Sequence, residues 1–192
     1  MSEAHLGGNF GVTHVDDGAL IWAKDKYGAK SMLDIGCGVG DQTKLAVTAG
    51  YARATGIDGD KPSIDIALKK NAGPNVGYIC HDFCNDPAVF PGQFDLIWCV
   101  EFLEHVYEKY LPNVFQVIVD VAPTVMICTA ASVGQPGGVH HVNCRERKYW
   151  VEQMAIRGLR YDQEATEDMK KHSTMQREFM RNTGMVFIVD QE

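Results

Sequence analysis

The chain has 192 residues, 45% of them hydrophobic and 22% charged, with a formal net charge of −7. This length suits one α/β domain with a buried core and little more. The negative balance disfavours a protein that grips a long phosphate backbone through clustered Lys and Arg, so DNA is not expected as a partner. From the N-terminus, "MSEAHLGGNF" lacks the basic and apolar regions of a signal peptide, and no apolar run approaches the roughly 20 residues of a membrane helix. A cytoplasmic protein without membrane contact is the expectation. "GALIWAKDKYG" (18–28) reads as a helix within an N-terminal helical extension, 1–29. "SMLDI" (31–35) follows as a buried strand, and "DQTKLAVTAG" (41–50) as a helix ended by Gly50. "ATGID" (54–58) is a strand, and "KPSIDIALKK" (61–70) a helix whose Pro62 lies in the first turn, where its missing N–H is harmless. "VGYICH" (76–81), "FDLIWCV" (94–100) and "TVMICTA" (124–130) are further strands, the last two separated by a helix over 112–120. A helix over 146–158, a polar helical stretch over 162–182 and a final strand, "GMVFIV" (184–189), complete the chain. Strands alternating with helices imply βαβ units and a mostly parallel sheet covered on both faces. No linker, repeat or low-complexity tract divides the chain, so 1–192 reads as one domain.

In such a sheet, ligands bind beyond the carboxyl ends of the strands at a topological switch point. The first strand-to-helix turn, "MLDIGCGVG" (32–40), has the spacing G-x-G-x-G at Gly36, Gly38 and Gly40. A dinucleotide fingerprint would place glycine where Asp41 stands, and no G-K-[ST] follows to hold a triphosphate. Asp58 ends the second strand, where a carboxylate can accept both ribose hydroxyls. Asp82 and Phe83 end the third, where a carboxylate and an aromatic ring could hold an adenine. Together with Asp34, three carboxylates around one nucleoside pocket repel a pyrophosphate and favour a cation. S-adenosylmethionine satisfies these demands, with an adenosine, an ammonium, a sulfonium and no phosphate. The six cysteines show no C-x-x-C pair and read as reduced thiols.

"LDIGCGVG", "TGIDGD", "CHDF" and "FDLIWCVEFLEHV", in this order and spacing, resemble the successive motifs of class I S-adenosylmethionine-dependent methyltransferases, of the small-molecule type. The resemblance covers about 31–130. It implies a Rossmann-like, doubly wound seven-stranded sheet, mostly parallel with an antiparallel last strand, for which 184–189 is the candidate. It implies too that Asp34 with Gly36, Cys37 and Gly38 holds the methionine moiety of S-adenosylmethionine, Asp58 and Gly59 the ribose, and Asp82 with Phe83 the adenine. Cys99 is grouped with these cofactor residues.

After the fourth strand the chain lacks the D/N-P-P-Y/F motif of base-amine methyltransferases and the Pro-Cys pair of C5-cytosine enzymes. "EFLEHV" instead resembles the turn of small-molecule and quinone-type O-methyltransferases. Glu101, Glu104 and His105 are spaced i, i+3, i+4, so a helix would place them on one face. They could ligate a divalent metal that acidifies a hydroxyl, and the resemblance to enzymes with E-x-x-E-H metal sites supports this. They could work as an acid–base set through His105, or merely cap and orient a helix. The expectation taken is no metal, with Glu101, Glu104 and His105 the ligands if one is bound.

The stretch 131–145 follows the fifth strand and reads as an active-site loop. Gly134, Pro136, Gly137 and Gly138 break it, and His140 and His141 then arrive near the site. Adjacent residues point different ways, so one of the two faces the acceptor. Alternatively one His and Asn143 cap the helix that follows. Glu104, His105 and His141 are the catalytic candidates, and His14 is a candidate contact over the cofactor. A small-molecule acceptor methylated at oxygen is the expected substrate. The alternatives are a metal-dependent 2′-O-methyltransferase of RNA ends and a non-catalytic S-adenosylmethionine-binding protein. The sequence carries no signal of oligomeric state.

Overall fold

A computed structural model describes residues 14–88, 92–134 and 139–189. Its elements run α1 (Asp17–Tyr27), β1 (Ser31–Ile35), α2 (Asp41–Thr48), β2 (Arg53–Asp58), α3 (Lys61–Lys70), β3 (Val76–Cys80) and β4 (Leu96–Cys99) in the first half. Two single-turn 3₁₀ helices, Leu103–His105 and Glu108–Tyr110, lead into α4 (Leu111–Val121) and β5 (Val125–Cys128). Then come α5 (Arg147–Ala155), β6 (Leu159–Tyr161), α6 (Gln163–His172), α7 (Phe179–Thr183) and β7 (Met185–Val189).

The strands form one seven-stranded sheet in the order β3-β2-β1-β4-β5-β7-β6. The pairs among β1 to β5 are parallel, whereas β7 runs antiparallel to both β5 and β6. This is the Rossmann-like arrangement expected, with 184–189 supplying the antiparallel strand. The sequence reading lacks β6, a three-residue strand that exists by pairing with β7, which lies later in the chain. The order reverses at β1 and β4, so the turns leaving these two strands face one crevice.

Period-two alternation explains why β1 is buried throughout. Leu33 and Ile35 join the core that α4 and α5 cover, and Met32 joins the core that α1, α6 and α7 cover. A parallel sheet sandwiched in this way has no wet face. α4 buries Leu111, Val114, Phe115, Val117, Ile118 and Val121 against the first core, an apolar stripe wide enough to hold it there.

Carboxylate caps start several helices, satisfying amides that no helical carbonyl can reach. Asp60 and Asp162 accept from Ser63 N and Ala165 N at 3.0 and 2.8 Å. Asp16, with no exposed surface, does more than cap α1. Its Oδ1 accepts from Ala19 N at 3.0 Å and from Thr174 N at 2.9 Å, while Oδ2 accepts from the Ser173 hydroxyl. Its own amide donates to Gln42 Oε1 at 2.8 Å. Asp16 thus ties the start of α1 to α2 and to the exit of α6. The N-terminal extension before residue 14 lies outside the described residues.

Replacing Asp16 with alanine removes several bonds to one buried charge. The expected loss is about 2–4 kcal/mol of unfolding free energy by urea denaturation, with the circular dichroism of the sheet retained. A loss below about 0.5 kcal/mol, the range of ordinary surface changes, would show that the network contributes nothing.

Candidate active site

The turn after β1 takes Gly36, Gly38 and Gly40 through φ values of +80°, +52° and +83°. Such angles disfavour any residue with a Cβ. Space demands glycine as well at Gly36, where a Cβ would come within 2.4 Å of the Phe102 ring. The turn is anchored to β2, since Gly36 N and Cys37 N both donate to Ile57 O, at 2.9 and 3.1 Å. Gly38 N donates to Asp58 Oδ2 at 2.9 Å, and Asp60 N to Oδ1 at 2.8 Å. A carboxylate has about four lone-pair directions, so Asp58 keeps capacity for further donors such as hydroxyls. Gly59 lies between Asp58 and Asp60, and its backbone adds to the bonding of the Asp58 carboxylate.

Asp34 is 3% exposed and accepts from Thr43 Oγ1 at 2.6 Å. Burial pushes its carboxyl up to about 7, partly offset by the Thr43 bond. Burial also raises Asp58 and holds the Cys37 thiol well above its ordinary range. Asp82 Oδ1 accepts from Cys84 N at 2.8 Å. Phe83 is buried, its ring edge-on to Phe102 with centroids 5.9 Å apart. Cys99 is buried at the end of β4, in register with Cys128. Burial raises its thiol too.

Past Cys99 the chain does not enter an α-helix. Glu101 takes φ +53°, a left-handed conformation that a non-glycine residue adopts only when its surroundings hold it there. Thr129 does so. Its hydroxyl accepts from Glu101 N and donates to Glu101 Oε1, both at 2.8 Å. One helix face therefore does not align Glu101, Glu104 and His105 as the spacing suggested, because only Leu103–His105 turn, as a 3₁₀ helix.

That turn meets the stretch after β5. Val142 N and Asn143 N both donate to Glu104 O, at 2.9 and 3.0 Å. His105 Nδ1 lies 3.2 Å from His140 O. A carbonyl can only accept, so Nδ1 carries the proton and Nε2 keeps its lone pair. The His105 and His141 rings sit edge-to-face, centroids 5.0 Å apart. One ligand atom from each of Glu104, His105 and His141 lies within 4.8 Å of the others. Of the two loop histidines, His141 joins this cluster, whereas the His140 ring packs edge-on to Tyr107. His14 packs against Phe179.

The electrostatics of the cluster are unusual. Glu104 has no exposed surface, and neither carboxylate oxygen has a hydrogen-bond partner among the described residues. Burial, reinforced by the nearby Glu101, pushes it up to about 8. Burial and the facing His141 lower His105 to about 4, and burial lowers His141 as well. At neutral pH the cluster thus holds a protonated carboxyl and two neutral imidazoles. It can hand on a proton or hold a small cation, and the two neutral ring nitrogens with an unpartnered carboxyl fit a divalent ion.

Sequence reasoning missed Thr129, Phe102, Glu108 and Arg145. Asn143 does not cap α5, whose N-cap is Glu146 without a side-chain bond. Its Oδ1 accepts instead from Arg145 Nε at 3.0 Å. Gly134 takes φ +78°, while Pro136, Gly137 and Gly138, the other breakers of the expected active-site loop, lie outside the described residues. No described helix is long and apolar enough to cross a membrane.

Residues 32–123 match the family described as "Methyltransferase domain". A ubiquinone biosynthesis O-methyltransferase of Bordetella pertussis is 34% identical over 124 residues, covering 62% of this chain and 45% of the relative. The chain spans about half the length of the curated relatives it matches. The structure of a magnesium protoporphyrin IX methyltransferase from Synechocystis PCC 6803 with bound SAH superposes with a TM-score of 0.65 at 15% identity, covering 91% of this chain and 81% of that one. A TehB-like SAM-dependent methyltransferase from Corynebacterium glutamicum gives 0.63 at 20% identity, covering 91% and 87%.

Glu104 keeps its proton to about pH 8 in the fold and loses it near 4.5 when unfolded, so its contribution to stability is complete below 4.5 and lost as pH rises through 8. His105 acts oppositely, its contribution complete above 6.5 and lost as pH falls through about 4. In chelator-treated protein, Glu104→Gln is expected to flatten the decline in melting temperature between pH 4.5 and 8 while leaving the acid limb in place. An unchanged alkaline slope would show that Glu104 ionises normally.

Proposed function

We propose that the core of this chain is a class I S-adenosylmethionine-dependent methyltransferase domain, a reading that the match of residues 32–123 to the methyltransferase-domain family supports, and that the protein methylates a hydroxyl oxygen of a small-molecule acceptor. The cluster of Glu104, His105 and His141 carries the proposal. A sulfonium methyl group is already activated, so transfer to a strong nucleophile needs little beyond alignment. A hydroxyl must also lose a proton, and the cluster supplies sites for one beside the turn that leaves β4. The names of the curated relatives, O-methyltransferases of ubiquinone biosynthesis, support an oxygen acceptor.

In this reading Asp58 receives the ribose hydroxyls at the lone pairs that Gly38 and Asp60 leave open. Phe83 and Asp82 bound the adenine, and the glycine turn with Asp34 accommodates the methionine end. The lone pair of His105 Nε2 is presented for the acceptor hydroxyl because His140 O holds the proton on Nδ1. His141 and Glu104 adjoin it, so a proton can pass within the cluster.

A second reading is favoured by one observation, the buried Glu104 carboxyl without a partner beside two neutral imidazoles. Glu104, His105 and His141 would hold a divalent cation, which when bound supplies Lewis acidity toward a hydroxyl. The imidazoles then serve as neutral ligands, and Glu101 is the adjoining carboxylate.

Methyl-labelled S-adenosylmethionine incubated with catechol and with aniline is expected to label the hydroxyl probe. Transfer to the amine alone would overturn the proposal. EDTA leaves transfer intact in the first reading, whereas loss with EDTA and rescue by Mg²⁺ or Mn²⁺ establishes the second. Asp58→Ala is expected to weaken S-adenosylhomocysteine binding by about 1.5–3 kcal/mol in calorimetry, the scale of a hydrogen bond to a charged group. Unchanged affinity would remove Asp58 from the ribose role.

A further inference from the structure

We propose that Glu108 and Arg145 are a positioning pair that holds His141 against Glu104 and His105. Glu108 opens the second 3₁₀ helix, three residues beyond His105. Its Oε2 accepts from Arg145 Nη2 at 2.7 Å and its Oε1 from Tyr149 Oη at 3.1 Å. Arg145 reaches back with Nε to Asn143 Oδ1 at 3.0 Å, its backbone amide donates to Ala131 O at 3.3 Å, and its guanidinium lies 5.1 Å from the Tyr149 ring centroid. Arg145 is therefore fixed to Ala131 just past β5, to the turn after β4, to Asn143 and to α5. A planar fork gripping two oxygens in this way fixes geometry as well as charge.

His141 needs such support. Its Nδ1 is buried without a hydrogen-bond partner among the described residues, and its ring meets His105 edge-on. Among the described residues no bond to Nδ1 selects its orientation, so its place is set by the backbone on either side. On the C-terminal side that backbone is held first by the bonds of Val142 N and Asn143 N to Glu104 O, then by Arg145, which donates both to Asn143 Oδ1 and to Glu108 Oε2. Asn143, 3% exposed, transmits the grip because its carboxamide oxygen is the handle that Arg145 holds.

The pair contributes little to overall stability. The Arg145 and Glu108 side chains are 41% and 58% exposed, and ion pairs this wet add little to folding because solvent and salt screen them. Its effect is local, which separates positioning from general structural support. The functional meaning of the inference rests on the acceptor-site reading above; its geometry does not.

The test uses the full chain labelled with ¹⁵N-histidine, recording long-range imidazole spectra of the wild type, Glu108→Ala, Arg145→Ala and the double variant. Both single variants are expected to move the His141 signals, and the double variant no further than the larger single effect, as for residues acting through one another. His14 and His172 signals stay in place, and S-adenosylhomocysteine affinity stays within about twofold of wild type, as at a site without shared partners. With a catechol probe, kcat is expected to fall about tenfold while KM for S-adenosylmethionine holds. Unmoved His141 signals in both single variants, effects that sum in the double variant, or parallel loss of cofactor affinity would each overturn the inference. If Glu108→Ala does not fold, Glu108→Gln retains one acceptor oxygen and is expected to shift His141 partway; no shift there counts against the inference equally. Wild-type protein that methylates no hydroxyl probe would defeat the proposed function alone, because the imidazole spectra judge the positioning pair independently.

Discussion

Two backbone hydrogen bonds, from Val142 N and Asn143 N to the carbonyl of Glu104, join the chain leaving β4 to the chain leaving β5. These strands are parallel neighbours, so their exits emerge side by side, but adjacency alone would leave two turns facing solvent. Pinning one on the other buries the Glu104 side chain completely and brings His141 to His105. A carboxyl without a partner in such a place is costly when ionised, which is why it holds its proton far above the usual carboxylate range. Among the described residues, His140 Nε2, His141 Nδ1 and Asn143 Nδ2 beside it are also buried without partners, while other polar atoms around it are paired. Glu101 has Thr129, His105 Nδ1 has His140 O, and Asn143 Oδ1 has Arg145. Buried polar atoms left without partners at one place point to a site that meets a hydroxyl or a cation.

Phe102 connects this cluster to the crevice beside the glycine turn. It stands between Glu101 and Leu103, close enough to Gly36 that a side chain there would collide with its ring, and it meets Phe83 edge-on. The glycine turn after β1, the aromatic past β3 and the acidic turn after β4 are consequently one packed unit. A shift of the acidic turn would move the wall of that crevice with it. The same packing gives Gly36 two reasons to be glycine, its positive φ and the ring above it.

The parts legible in the sequence were those written in local pattern. Alternating apolar strands, the helix over Lys61–Lys70 with its proline in the first turn, and the carboxylates ending β2 and β3 all follow from neighbours within a few residues. What escaped depends on contacts distant in sequence. β6 has three residues and no readable alternation, and it becomes a strand by pairing with β7. Glu101 was assigned to a helix face by spacing, yet the Thr129 hydroxyl 28 positions away turns it left-handed. Arg145 and Glu108, 37 positions apart, look like solvated charges until the fold sets them side by side. Glu104, His105 and His141 were each singled out by type and place, but their convergence needed the two bonds to Glu104 O.

The most direct measurement of this account is the ionisation of Glu104 itself. Carboxyl-¹³C labelling, with Glu104→Gln to assign the resonance, reports its protonation across a pH titration of chelator-treated protein. The expected result is a midpoint near 8, with the proton displaced on adding a divalent cation if the cluster holds one. A midpoint near 4.5, the ordinary value for a glutamate, would contradict the account, because the carboxyl would then be solvated or already paired.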